Sequence, residues 1–224
     1  MPAKITVFHK GEKMKKTNNK LTLFLIPIGI AVNFVVGSII TLLKLPLYLD
    51  CIGTIIVGAL CGAWPGVIVG LITNILNSIA DPTILFYAPL NMAFGVLAAF
   101  LSKKGWFKNI WLTLVSSIFF ALIGGGIGSL ITWVVYGFDF GSGRTAIVSV
   151  PLYEALNVSK YVAQFIGETA IDWIDKIVTV IICFFILKGF PTRFLTKLPL
   201  GHIYISDELK KQEEEMTNSA DAEE

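Results

Sequence analysis

The stretch richest in chemistry runs from Gln164 to Lys176. Gln164, Glu168, Asp172, Asp175 and Lys176 interrupt an otherwise apolar sequence there. At about 100° per residue the first four fall within about an 80° arc, so on a helix they form one polar stripe. Asp172 and Lys176, spaced i,i+4, can pair. The stripe then reads in two ways, as a neutralised structural pair with interfacial acids or as the polar wall of a ligand pocket. Other candidates are spread along the chain: Tyr48 and Asp50, Asn74 and Asn77, Asp81, then Phe86, Tyr87 and Asn91, then Trp133 and Tyr136. Aromatic rings beside amides and acids suit a flat polar ligand that stacks and hydrogen-bonds, although any one ring also serves in a membrane-interface belt. The expected substrate-binding set is Tyr48, Asp50, Asn74, Tyr87, Asn91, Trp133, Gln164, Glu168 and Asp172.

Enzyme chemistry finds no support in the motifs. There is no GxxxxGK[ST] phosphate loop, and Gly141-Ser142-Gly143-Arg144-Thr145 is too short to be one. HExxH and GxSxG are missing, and His9 and His202 lie in the tails. Cys51, Cys61 and Cys183 sit inside apolar runs with neither disulfide nor metal spacing, and read as small buried hydrophobes. No catalytic residue, metal, cofactor or nucleic-acid partner is expected. Arg144 either meets an anion or is a solvated loop arginine.

The elements that must carry these residues are membrane helices. The chain is 54% hydrophobic and 15% charged, against about 25% charged in soluble domains. Mean hydropathy is +0.73. Apolar stretches cover Leu21–Leu43, Cys51–Ala80, Ile84–Leu101, Ile110–Tyr136 and Ile171–Leu187. The first is too long for a signal-peptide core and reads as a retained helix.

Basic residues in short loops mark the cytoplasmic side. Three clusters do so: Lys4, Lys10, Lys13, Lys15, Lys16 and Lys20; Lys103, Lys104 and Lys108; Lys188, Arg193 and Lys197. An even number of crossings must separate the first two, yet three stretches lie between them. Gly62-Ala63-Trp64-Pro65-Gly66 resolves the conflict, because proline and glycine together favour a turn. Read as a hairpin, Cys51–Ala80 becomes two short helices, Cys51–Cys61 and Val67–Ser78; one long kinked helix is the alternative. Each half is shorter than the ~30 Å hydrocarbon core and needs shielding by neighbours or a thinned bilayer.

The expected fold is therefore all-α and integral to the membrane, with six transmembrane helices, helices 2 and 3 short, and N and C termini cytoplasmic. Residues 1–20 form a basic tail, 21–187 the membrane domain, and 188–224 a cytoplasmic tail that is acidic at its end around Glu213, Glu214 and Glu215. Outer loops fall at Lys44–Asp50, Ile79–Thr83 and Gly137–Phe165, the last with a short helix near Pro151–Leu156. Inner ones fall at Ala63–Gly66 and Ser102–Asn109. Gly124 and Gly128 have the small-xxx-small spacing that lets helices approach.

Tyr48-Leu49-Asp50-Cys51-Ile52-Gly53-Thr54, Gly62-Ala63-Trp64-Pro65-Gly66 with Gly70 and Thr73-Asn74, and Asp175-Lys176-Ile177 resemble the substrate-binding S components of energy-coupling factor (ECF) transporters. The similarity covers roughly residues 20–190. It implies a six-helix fold in a prokaryotic cell membrane, with an outward-facing site for a vitamin or related small molecule. It also implies docking on a transmembrane coupling subunit driven by two ATPases. The family's docking pattern on the first helix is often Ala-xxx-Ala; the nearest match here is Gly29, Asn33 and Gly37. A flavin, a pterin, a nucleoside and an amine-bearing vitamin fit the candidate residues equally. A membrane sensor or scaffold and a self-sufficient secondary transporter are the competing functions.

Overall fold

The computed structural model describes residues 19–137, 139–140 and 143–205. The basic lead with His9, Gly141 and Ser142 of the long loop, and the acidic end with Glu213–Glu215 lie outside the described residues. Among the described residues eight α-helices follow one another: α1 (Asn19–Leu42), α2 (Ile52–Cys61), α3 (Ala63–Asn77), α4 (Ala88–Lys103), α5 (Ile110–Val135), α6 (Gly143–Leu156), α7 (Lys160–Lys188) and α8 (Thr192–Leu195). No strand occurs among the described residues. The segments Lys20–Leu42, Pro82–Lys103 and Ile110–Val135 are long and apolar enough to cross a membrane, and α2 and α3 are shorter apolar helices.

The hairpin is real but tighter than the proline suggested. A single residue, Gly62, separates α2 from α3 at φ +102°, a left-handed conformation that a β-carbon would strain. Its N–H closes α2 by donating to the Gly58 carbonyl at 3.0 Å. Pro65, expected at the fold-back, instead sits in the first turn of α3, where its missing N–H removes no helical hydrogen bond. Gly58 and Gly66 lie four residues either side of Gly62. A β-carbon on Gly66 would come within 2.9 Å of the Gly58 Cα and 3.0 Å of the Gly95 Cα on α4. Glycine at all three positions is what lets α2, α3 and α4 touch along their backbones.

Every residue of α2 is buried. At about 15 Å it is too short to cross alone, and it survives by being wrapped in α1, α3, α4 and α7. Asn33 of α1 is fully buried and ties this group together. Its amide donates to Thr54 Oγ1 at 2.9 Å and Thr73 Oγ1 at 3.1 Å, and its carbonyl accepts from the Gly53 N–H at 2.6 Å.

That arrangement shows what the expected docking face touches within the chain. Gly29, Asn33 and Gly37 do form a narrow face, but the chain uses it internally. A β-carbon on Gly29 would press on Val57 and the Gly53 carbonyl, and one on Gly37 on Asp50. Asn33 itself is buried within the chain's own packing.

The segment after α7 also departs from a free tail. Leu195, Leu198 and Ile205 are buried in the core. The Leu200 N–H donates to the Leu60 carbonyl at 2.9 Å, Ser102 Oγ donates to the Ala59 carbonyl at 2.6 Å, and Ser102 Oγ meets the Tyr204 hydroxyl at 2.7 Å. Leu200 of this segment and Ser102 of α4 thus cap carbonyls that α2 leaves open at its C-terminal end. The Gly62 turn, the end of α4 and this cap share one end of the molecule. α6 and α7 both begin earlier in the long loop than expected, at Gly143 and Lys160. The fourth helix is preceded by a 3-10 turn, Pro82–Tyr87, capped by Asp81.

Candidate ligand-binding site

At the end opposite the Gly62 turn lies a cavity of about 980 Å³. Its wall draws on α1, the loop before α2, α3, the 3-10 turn, α4, α5, α6 and α7. Volumes of about 300–1,000 Å³ are usual for small-molecule sites.

α7 supplies the polar stripe, and all four of its members are buried: Gln164, Glu168, Asp172 and Asp175. Room for it comes from α5. A β-carbon on Gly124 would overlap the Asp172 carboxylate, and one on Gly125 would overlap the Thr169 side chain. The glycine run is therefore a recess that admits Asp172 as well as a close helix contact.

Glu168 is held by neutral donors. Thr132 Oγ1 donates to Glu168 Oε1 at 2.9 Å, and Gln164 Nε2 donates to the same oxygen at 2.9 Å. Thr132 has one proton to give, so the Tyr87 hydroxyl donates to Thr132 Oγ1 at 2.8 Å. This relay joins the 3-10 turn, α5 and α7 at the cavity wall.

Lys176 pairs chiefly with its neighbour, not with Asp172. Its Nζ lies 2.5 Å from Asp175 Oδ2 and 4.0 Å from Asp172 Oδ1, with the Phe94 ring beneath it at 4.8 Å. The other Asp175 oxygen accepts the Tyr48 N–H at 2.8 Å and the Leu49 N–H at 2.9 Å. Asp175 therefore clamps the loop before α2 onto α7, which seats Tyr48 and Asp50 at the cavity. Leu49 there holds φ +49°, a conformation the clamp stabilises.

α3 and α4 contribute paired amides. Asn91 Nδ2 donates to Asn74 Oδ1 at 2.8 Å, and Asn74 Nδ2 donates to the Ile84 carbonyl at 3.0 Å. Across the mouth, Arg144 of α6 donates to Thr41 Oγ1 at 3.1 Å and lies 4.9 Å from the centre of the Tyr48 ring. Asp139, in the loop before α6, pairs with Lys160 at the start of α7 at 2.8 Å. That contact holds the exposed carboxyl below its usual pKa.

Tyr48, Asp50, Asn74, Tyr87, Asn91, Glu168 and Asp172 all face the cavity. Gln164 stands behind it and reaches the site through Glu168. Trp133 is outside the wall, edge-on to Tyr161 at 5.3 Å. Arg144, Tyr136, Lys176, Thr41 and Lys44 face the cavity as well. Arg144 carried a signal in the sequence, as a basic residue on an outer loop. Thr41 and Lys44 carried none, because one hydroxyl and one lysine at a helix end are commonplace.

A model of the family described as ECF transporter, substrate-specific component, matches residues 21–198. The chain belongs to this family. It is a substrate-binding membrane subunit of the ECF type, crossing the bilayer more than once. No curated protein and no solved structure gives a match. ECF membership implies a small-molecule substrate and association with coupling and ATPase components. Among the described residues no group of three or more His, Cys, Asp or Glu side chains could hold a metal ion.

Proposed function

We propose that this S component captures a vitamin-like or nucleoside-like small molecule from outside the cell and delivers it through an ATP-driven ECF importer. A coupling subunit and two ATPases would supply the drive. One observation carries the reading. The cavity with its acids and amides opens at one end of the helices, and Lys103, Lys104, Lys108, Lys188, Arg193 and Lys197 lie at the other, toward the Gly62 turn and its cap. Basic ends stay in the cytoplasm, so the cavity faces out. On this reading α1, α2, α3, α4, α5 and α7 are six spans, α6 is an outer element over the site, and both termini are cytoplasmic. The home membrane is then a prokaryotic cell membrane, with residues 21–187 as the membrane domain.

The pocket assignment predicts that Asp172→Asn and Asn91→Ala each weaken binding of the copurifying small molecule by about 10- to 100-fold, the scale of one lost charge-assisted hydrogen bond. Helix content by circular dichroism should not change. Unaltered affinity in both variants removes the cavity as the site. Proteoliposome uptake tests the role: the compound should accumulate only with partner subunits and ATP. Accumulation by the chain alone under an ion gradient would make it a secondary transporter instead.

A further inference from the structure

Two acceptors of the cavity wall, the Asn91 side-chain oxygen and the Asp172 carboxylate, are short of donors, and this bears on what the site can hold. The Ile84 carbonyl can only accept, so Asn74 must present Nδ2 to it. Asn74 Oδ1 is then turned to Asn91, which must answer with Nδ2. Asn91 Oδ1 is left over. It is buried with no partner in a residue only 5% exposed that lines the cavity. The amide chain fixes that orientation, so flipping Asn91 would set two oxygens against each other.

Asp172 is the second such group. It faces the cavity, is buried, and its one ion pair among the described residues is with Lys176, at 4.0 Å. Lys176 is already committed to Asp175 at 2.5 Å. Asp50 lines the same cavity. The remaining cations of the wall, Lys44 and Arg144, belong to the mouth. A buried carboxylate whose one cation is shared and distant is costly, and so is a buried amide oxygen without a donor. A ligand that brings N–H donors and positive charge relieves both.

We propose that the captured molecule is a nitrogenous cation, an amine, amidine or protonated amino-heterocycle, bound with its N–H groups directed at Asn91 Oδ1 and the Asp172 carboxylate. This rests on the capture reading and narrows its substrate class. Any anionic group on the same molecule points back to Arg144 and Lys44 at the mouth.

The test uses the full chain in nanodiscs, dialysed against the small-molecule fraction of a bacterial extract, with retained compounds identified by mass spectrometry. Empty nanodiscs are the control. The expected result is a compound that is cationic at neutral pH, retained by the wild type and lost at least about tenfold in Asp172→Asn. Asn91→Leu should lose it comparably, while Trp133→Phe, outside the wall, keeps it. The charge of the compound held by the wild type needs no variant to read. A retained compound that is neutral or anionic, and indifferent to Asp172→Asn, overturns the proposal and leaves capture standing. Retention of nothing above empty nanodiscs overturns capture itself, and the proposal with it.

Discussion

At the residue scale, the most consequential side chain is one whose role is support. Asp175 is fully buried, accepts two backbone N–H groups from the loop before α2 and contacts Lys176. Removing one partner of a buried pair strands the other and costs about 3–5 kcal/mol, whereas replacing both by apolar groups is often near neutral. Asp175→Asn should therefore lower unfolding stability in detergent by about that amount. The double variant Asp175→Asn with Lys176→Met should recover most of it. If the double variant is as unstable as the single one, the stranded lysine is not the source of the loss. The sequence showed this stripe plainly, because charges in an apolar run stand out. It did not show which acid holds Lys176. An i,i+4 spacing favours Asp172, but the long lysine side chain can fold back to its neighbour, and only three-dimensional packing decides between the two.

At the element scale, glycines decide where helices may touch. A β-carbon on Gly53 would run into the Gly29 backbone, whereas one on Gly126 would meet nothing within 4 Å. Gly53→Ala should destabilise by about 1–3 kcal/mol through forced separation of α1 from α2. Gly126→Ala should be neutral or stabilising by about 0.5–1 kcal/mol through helix propensity alone. Thermal unfolding of the two variants side by side checks this, and an equal effect would contradict the close contact. The short pair α2 and α3 was legible as a hairpin because charge parity demanded an extra turn. Its exact hinge was not, since Gly62, Pro65 and Gly66 all signal a break and only Gly62 takes a left-handed φ. The face of Gly29, Asn33 and Gly37 was legible as narrow, but its partner was not. Small residues mark a close contact without saying whose.

Across the whole molecule, the packed cap formed by residues 188–205 ties the end of α7 to the ends of α2 and α4. Tyr204→Phe removes the hydroxyl that meets Ser102. It should cost about 1 kcal/mol of stability with ligand binding unchanged, since the cap lies at the end away from the cavity. A loss of binding in that variant would show that the two ends are coupled. Sequence reading missed the cap because the stretch is short-helical, proline-broken and basic, the signature of a solvated tail. Its buried leucines look no different from exposed ones until the open carbonyls of α2 are seen beneath them.

The sidedness of the molecule underlies the whole account, and cysteine labelling in intact cells reads it most directly. Cys51, Cys61 and Cys183 are buried, so the native background is low. Trp64, beside the Gly62 turn, is 78% exposed, and Asp81 is exposed at the cavity mouth. A membrane-impermeant maleimide should label Asp81→Cys from the medium and reach Trp64→Cys only after the cells are permeabilised. External labelling of Trp64→Cys with Asp81→Cys protected would turn the cavity inward and contradict capture from outside.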